Sequence, residues 1–356
     1  MNFYQLKTVH SESFSAWGKA PSDVTRISEK MGAITLDVRR YNPESKLFSK
    51  IQHIGWYFRC FGCFGMKPHS VCLFQHPFYA SRGVVGRFED WLMLTVFRLY
   101  RIRIIVIVHD IGHWRKLVAE DEFNNEAAFL AKYADCLIVH NASMRRRLAL
   151  EGVPNEKMIE LGIFDYLIEG DKPPLEMKNF RQVIIAGNLR PDKVPYLREL
   201  PIVSDVDWHL YGKQIENQFS NVLNIHYEGC YPSEEIPKYL RCGFGLVWDG
   251  TSVKGCMGNT GEYLRYNNPH KLSLYLASGL PVIVWTESAT AAFVREHNVG
   301  VAIQSLNEIG GILNALTDEQ YCVLRQNVLK LSEEIRQGRF MSMALQKAFK
   351  KLEDNC

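Results

Sequence analysis

Short β-branched runs alternate along the chain with longer stretches in which apolar residues recur every three or four positions. The first pattern predicts buried strands and the second amphipathic helices. In the first half, strands are predicted over 3–9, 34–39, 70–75, 103–108 and 135–140, with helices near 21–31, 46–61, 87–100, 122–133 and 141–150. The polar, proline-containing stretch "EGDKPPLEMKNFRQ" (169–182) then interrupts the pattern, which starts again beyond it. Strands are predicted over 182–187, 207–211, 223–227, 244–248, 281–285 and 299–303, and helices near 193–199, 233–240, 269–277, 288–296, 305–315 and 318–336. This alternation predicts an α/β chain of two facing, Rossmann-like, doubly wound domains, at 1–168 and 181–336, joined by a linker at 169–180. In open sheets of this kind ligands bind beyond the carboxyl ends of the strands, so motifs at strand ends carry the most weight.

One such motif sets an electrostatic question. In "NNPHKLSLYLASGLPVIVW" (267–285), Asn268 is a good N-cap, Pro269 fits the first helical position, and Gly279 with Pro281 ends the helix. Lys271 therefore lies in the first turn, where the helix dipole disfavours a cation. A bound anion, met by the backbone amides of His270 and Lys271 and by the ammonium itself, would remove the conflict. The plain alternative is that Lys271 bends back into water. An ion pair with a neighbouring carboxylate would also remove it, and would leave the functional case resting on family likeness.

Composition changes this picture little. The 356 residues, 47% hydrophobic and 23% charged, suit a soluble two-domain protein, and a net charge of +3 gives no reason to expect nucleic acid as a partner. Basic residues do cluster, at Arg98, Arg101 and Arg103, at Arg145–Arg147, and at Lys347, Lys350 and Lys351. These are read as solvated helix faces, with a peripheral contact to an anionic inner-membrane surface as the competing reading. The first residues lack the basic-then-apolar pattern of a secretion signal, which places the chain in the cytoplasm, and nine cysteines suggest free thiols. The aromatic, basic stretch 51–67 reads either as a buried helix or as an interfacial one.

Four further segments qualify at strand ends. In "VIIAGNLRPDK" (183–193), Gly187 permits close backbone approach, and Asn188 and Arg190 follow it. An ordinary turn with a surface arginine is the alternative. In "IVIVHDIGHW" (105–114), His109 and Asp110 could abstract a proton, bind sugar hydroxyls or only close a turn. In "SAWGKAPSDVTRI" (15–27), Gly18, Lys19 and Asp23 fill the first strand-to-helix turn, where Asp23 could instead complement a helix dipole. After strand 244–248, Asp249 could hold a ribose hydroxyl pair. The irregular stretch that follows, with Gly250, Gly255, Gly258 and Gly261, suggests mobility or a phosphate-facing backbone. Tyr227, closing strand 223–227, joins the donor-side candidates. No dinucleotide fingerprint, P-loop or metalloprotease motif occurs. The "CFGC" at 60–63 and "DVD" at 205–207 are set aside as metal sites, and no metal is expected.

The order "HDI" (109–111), "HNASM" (140–144), "IFDYL" (163–167), "AGNL" (186–189), "GLVWDG" (245–250) and "NNPHKLSLYL" (267–276) resembles a bacterial family of GT-B glycosyltransferases. Within it the likeness is greatest to the β-1,6-galactofuranosyltransferases of O-antigen synthesis; adhesin-modifying glucosyltransferases are more distant. The resemblance implies a UDP-sugar as co-substrate, with no other cofactor, and a saccharide acceptor that is lipid-linked or part of a surface polysaccharide. It also implies diphosphate contacts from Lys19, Arg190 and Lys271, and a final helix, near 340–353 within 337–356, crossing back onto the first domain. One departure stands out: Leu274 occupies the position of a ribose-gripping glutamate. Asp110, then Asp23, with His109 beside the first, are the candidate bases for inverting transfer. A UDP-glucose or UDP-N-acetylhexosamine transferase, a nucleotide-sugar epimerase and a non-catalytic binding module are the rivals. Nothing in the sequence sets an oligomeric state, and a homo-oligomer is compatible with it.

Overall fold

A computed structural model describes residues 2–7, 16–38, 46–77, 84–115, 126–170, 180–190, 194–213, 219 and 221–354. Twelve described strands form two parallel sheets. In the first, β1 (Phe3–Lys7), β2 (Ile34–Asp37), β3 (Val71–His76), β4 (Arg103–Val108), β5 (Cys136–Val139) and β6 (Met158–Glu160) run in the order β2-β1-β3-β4-β5-β6. In the second, β7 (Gln182–Asn188), β8 (Asp207–Lys213), β9 (Ile225–Gly229), β10 (Phe244–Val247), β11 (Val282–Trp285) and β12 (Gly300–Ile303) run in the order β12-β11-β10-β7-β8-β9. Both orders reverse beside the first strand of the sheet, which makes each lobe doubly wound.

The strands read as unbroken apolar runs because both faces of each sheet are covered. In the first lobe Phe74, Val106 and Leu137 face one core, while Leu73, Ile105, Ile107 and Ile138 face the other. The second lobe repeats this: Val183, Ile185 and Leu246 against one core, Ile184, Ala186 and Val247 against the other. Each set follows from the two-residue period of a strand.

The last two helices tie the lobes together. α10 (Asp318–Gln337) packs on the second lobe and ends at Gly338, whose φ of +81° is the left-handed conformation of a helix stop. α11 (Arg339–Asp354) then crosses to the first lobe and buries Met341, Leu345 and Leu352 against the β3, β4 and β5 side chains Leu73, Ile105 and Ile138. Asp165, in the crossing segment between the lobes, accepts from the backbone amides of Phe340 (3.2 Å) and Met341 (2.7 Å) at the start of α11. The expected return of the final helix is therefore present.

Several expectations are corrected. The first helix, α1 (Ala16–Lys30), starts before position 21 and carries Pro21 inside it, so Gly18 and Lys19 are helical rather than part of a turn. The stretch after Asp249 is not irregular throughout: Gly258–Tyr263 forms a helix. Gly261 there serves close packing, since a Cβ would lie 2.4 Å from the Cys256 carbonyl oxygen. The helices expected near 193–199 and 233–240 are 3-10 turns at Pro195–Ile202 and Ile236–Lys238. β6 was not expected. Most of the linker, 171–179, lies outside the described residues.

Candidate active site

The helix beginning "HKLSLYLA" is α7 (His270–Ala277), and its cap position is held by Pro269, not Asn268. Lys271 does not bend into water. Its Nζ donates to Asp249 Oδ1 (2.8 Å) and to the Trp248 carbonyl (3.1 Å), both just past the end of β10. This is the ion pair with a neighbouring carboxylate, and it offsets the conflict with the helix dipole. That conflict therefore does not require an external anion, and the case for a donor site here passes to family likeness. The pair is only partly buried, with side-chain exposures of 21% and 25%. Gly187, at the end of β7, lies alongside: a Cβ there would sit 3.8 Å from Lys271 Cε, and its φ is +137°. Gly187, Asp249 and Lys271 are therefore brought together, with the glycine leaving the lysine approachable.

Asn268, freed from capping, joins the lobes. Its side-chain amide donates to the His140 carbonyl (2.9 Å) and the Gly162 carbonyl (2.6 Å) and accepts from Asn141 Nδ2 (2.7 Å). Its backbone N–H donates to His140 Nδ1 (2.9 Å), while His140 Nε2 is 2.9 Å from the Val108 carbonyl. Burial lowers the His140 pKa to about 4, so the ring is neutral, with Nδ1 left as an acceptor. Asn141 also caps α5 (Ala142–Leu150) through Ser143 and Met144. "HNASM" thus acts as a junction motif.

Next to this junction, His270 stacks on Tyr166 at 5.0 Å between ring centroids, and its Nε2 lies 3.3 Å from the Asp165 carbonyl. Burial lowers its pKa to about 4, and Nδ1 has no hydrogen-bond partner. Lys19 lies 4.9 Å from the Tyr166 ring centroid but is fully engaged. Its ammonium donates to Asp23 (2.9 Å), the Leu167 carbonyl (2.8 Å) and Glu234 of the second lobe (2.9 Å). An ammonium has three protons, so a phosphate contact would require one of these to be displaced. Asp23 is 1% exposed and also accepts from the Leu167 amide. Burial pushes its pKa up to about 6 against the pull of Lys19. Lys19 and Asp23 accordingly form a buried pair at the lobe junction, and the geometry favours a structural role for Asp23 over that of a base open to solvent.

The opposing wall comes from the segment after β4. His109 Nε2 meets Gln75 Oε1 at 2.7 Å and its ring stacks on Phe164, so it turns away from its neighbour Asp110. Asp110 accepts from Arg115 Nη1 (2.5 Å) and from the Ile111 amide (3.1 Å); that amide also meets the hydroxyl of Tyr263 (3.0 Å) from the second lobe. Arg115 lies 5.7 Å from the Tyr263 ring centroid, and its Nε is buried without a partner. Burial works against its charge, but Asp110 and, more weakly, Asp249 raise its pKa. Lys271 and Asp249 from one lobe, and Arg115 and Asp110 from the other, thus put two cations and two carboxylates at facing strand ends. Behind them, His113 bridges Glu126 (3.0 Å) and Glu151 (3.2 Å). Burial opposes its charge, yet these hydrogen bonds raise its pKa to about 9 and, with His76, hold Glu126 well below the usual carboxylate range.

The remaining candidates lie further out. Asn188 Oδ1 accepts from the Arg190 amide (3.2 Å), and both residues are exposed. Tyr227 donates to the Gly212 carbonyl (2.9 Å) on the strand next to Gly187, and does not reach Lys271. Leu274 is buried in the core. Among the described residues no group of three or more His, Cys, Asp or Glu side chains is arranged to hold a metal ion. Burial pushes the Cys60 and Cys63 thiols up to about 12 and 11, so this pair behaves as core packing. The sequence reading missed Arg115, Tyr263 and Glu234. Arg115, five residues past Asp110 on the same strand-end loop, had a visible signal; Glu234, distant in sequence from Lys19, had none.

The profile of the glucosyltransferase 3-like N-terminal domain matches residues 3–163, and that of the C-terminal domain matches 183–348. The chain is 33% identical over 293 residues to the β-1,6-galactofuranosyltransferase WbbI of Escherichia coli K12, covering 81% of this chain and 82% of that protein. It is 25% identical over 331 residues to glucosyltransferase 3 of Streptococcus gordonii, covering 92% of each. Among solved structures, Anabaena HepE in complex with UDP and glucose superposes with a TM-score of 0.60 at 11% identity, over 98% of this chain and 99% of that one. The lipopolysaccharide outer core galactosyltransferase WaaB superposes with a TM-score of 0.61 at 10% identity over the whole of both chains. The fold and these matches together make the chain a member of the glucosyltransferase 3-like family of GT-B glycosyltransferases.

Proposed function

We propose that this glycosyltransferase moves a hexosyl group, galactofuranose from UDP-galactofuranose, with inversion onto a hydroxyl of a surface-polysaccharide or lipid-linked saccharide. The 33% identity to the E. coli galactofuranosyltransferase carries the choice of sugar. The facing charges of Lys271, Asp249, Arg115 and Asp110 supply the chemistry. The donor diphosphate takes Asp249's place against Lys271 and the amino end of α7, where helix dipole and ammonium stabilise the developing negative charge. Asp249, released, turns to the ribose hydroxyls, a role Leu274 cannot fill. Gly187 lets the diphosphate approach, and Asn188 and Arg190 lie on the loop that follows it.

The acceptor oxygen attacks the anomeric carbon as the bond from that carbon to the phosphate oxygen breaks, its electron pair leaving with UDP. The acceptor proton passes to Asp110, whose side chain keeps 14% exposure against 2% for Asp23. Lys271 and the amino end of α7 supply the positive charge the diphosphate needs, a mechanism that calls for no metal or other cofactor.

The test assays purified protein with UDP-galactofuranose, UDP-glucose and UDP-N-acetylglucosamine against a lipid-linked saccharide, with and without EDTA. Transfer from the first donor, unchanged by EDTA, is expected. Preference for another donor would correct the sugar, and a strict divalent-metal requirement would overturn the charge-based mechanism. An epimer formed from donor alone would identify the rival activity.

A further inference from the structure

The exposed turn 98–103, "RLYRIR", at the end of the first sheet opposite the cleft, combines charge and apolar surface in a way that the transfer reaction does not use. α3 (Val84–Leu99) ends there, and β4 begins at Arg103. Leu99 is 76% exposed, and Tyr100 beside it is also exposed. Around them Arg98, Arg101, Arg103, His69, Ile102 and Asp135 line an open cavity of about 430 Å³. Arg98 reaches Asp135 and the Tyr133 carbonyl only at 3.5 Å. Arg101 adopts a φ of +55°, and its side chain is exposed.

Two further elements converge on this end. α2 (Lys46–Phe61) finishes beside α3, since Phe64 packs edge-on against Phe97 and the His69 amide donates to the Tyr100 carbonyl. Its outer stripe, Ile54, Phe58 and Phe61, spaced four and three residues apart, is exposed. The last turn of α11 arrives from the other side, where Arg103 donates to the Leu352 carbonyl (2.5 Å), bringing the terminal lysines toward the arginines. Acidic residues are also present at this end, among them Asp135, Glu156, Glu353 and Asp354. Among the described residues no helix is long and apolar enough to cross a membrane.

We propose that this end of the first lobe docks on an anionic lipid bilayer. Arg98, Arg101 and Lys67, which is exposed in the segment leading from α2 into β3, meet lipid phosphates, while Leu99, Tyr100 and Phe61 enter the boundary between headgroups and acyl chains. Arginine suits a phosphate by its fork of donors, tyrosine suits the headgroup level, and an exposed leucine gains by leaving water. The surface is thus the turn 98–103 with the end of α2, rather than the whole of 51–67, whose Trp56 and Cys60 are buried. The docked end is opposite the strand ends that form the cleft. A six-residue strand at about 3.3 Å per residue holds the cleft roughly 20 Å above the bilayer. That distance suits an acceptor with several sugars between its lipid and its growing end, a point that rests on the acceptor proposed above.

The test is co-sedimentation of the full chain with phosphatidylcholine vesicles and with vesicles containing 30% phosphatidylglycerol, at low and high salt. Binding to the anionic vesicles alone, lost at high salt, is expected. Arg101→Glu and Lys67→Glu should each weaken it at least about fivefold. Leu99→Ser should weaken it at low salt without changing the charge, and all three variants should keep the wild-type affinity for UDP, which shows that they fold. Absence of binding, equal binding to neutral vesicles, or charge-reversal variants that bind like wild type would overturn the proposal. Vesicle binding by a chain that does not bind UDP would leave it standing and remove only the donor assignment.

Discussion

At the scale of single residues, the site is a set of charges already satisfied by one another. Asp110 is held by Arg115 and Asp249 by Lys271, so the donor has to exchange partners rather than fill a vacancy. Two substitutions separate binding from chemistry. Asp110→Asn should lower kcat by about 10²–10⁴-fold at saturating donor, the usual worth of a general base, while leaving the UDP dissociation constant near wild type. Unimpaired turnover would remove Asp110 from the reaction. Asp249→Asn reports on the exchange itself and is read by calorimetry with UDP. Weaker binding is expected if the carboxylate moves to the ribose; tighter binding would show that it only competes with the diphosphate for Lys271. The sequence displayed Lys271, Asp249, Gly187 and Asp110 because each closes or follows a strand or opens a helix. It could not display their pairing: Lys19 and Glu234 are 215 positions apart, and only the closed fold brings them to 2.9 Å. Asn268 was misread as a cap because local preference favours it there, and tertiary hydrogen bonds to His140 and Gly162 outweigh that preference.

At the scale of elements, the strands were legible because both-sided burial makes them unbroken apolar runs. β6 was not, since the three residues "MIE" at a sheet edge are too few to show a period. The helix Gly258–Tyr263 was hidden by Gly258 and Gly261, which usually punctuate structure. The segment after β4 carries its own pH response. His113, held at about 9 by Glu126 and Glu151, binds a proton in the folded chain that the unfolded chain releases near 6.5. Its contribution to stability is therefore complete below about 6.5 and is lost as pH rises through about 9. Burial raises Asp23 to about 6 and Asp165 to about 7, so these also favour the folded chain at lower pH, and that advantage fades between about 4 and 7. His140 and His270, held at about 4 by burial, act the opposite way and add stability as pH rises from about 4 to 6.5. The net fall in melting temperature is therefore expected from pH 7 to pH 10, and His113→Gln should remove most of that slope. A variant whose slope matches wild type would show that the bridge to Glu126 and Glu151 is not the source.

At the scale of the whole molecule, one helix decides whether two lobes make one protein. α11 supplies Met341, Ala344, Leu345, Ala348 and Leu352 to one core of the first lobe. A chain ending at residue 337 should keep a cooperative second lobe and lose the native first one, seen as dye-accessible apolar surface and rapid proteolysis before residue 168. A truncated chain with a protected first lobe would show that the helix only decorates it. The return crossing also has a meaning in time. A ribosome delivers the first sheet hundreds of residues before its cover, so one flank of it waits open while the other lobe is still being made. The part of the protein that is born first is the last to be finished, and a growing chain has to be kept from sticking to its neighbours until residue 352 emerges.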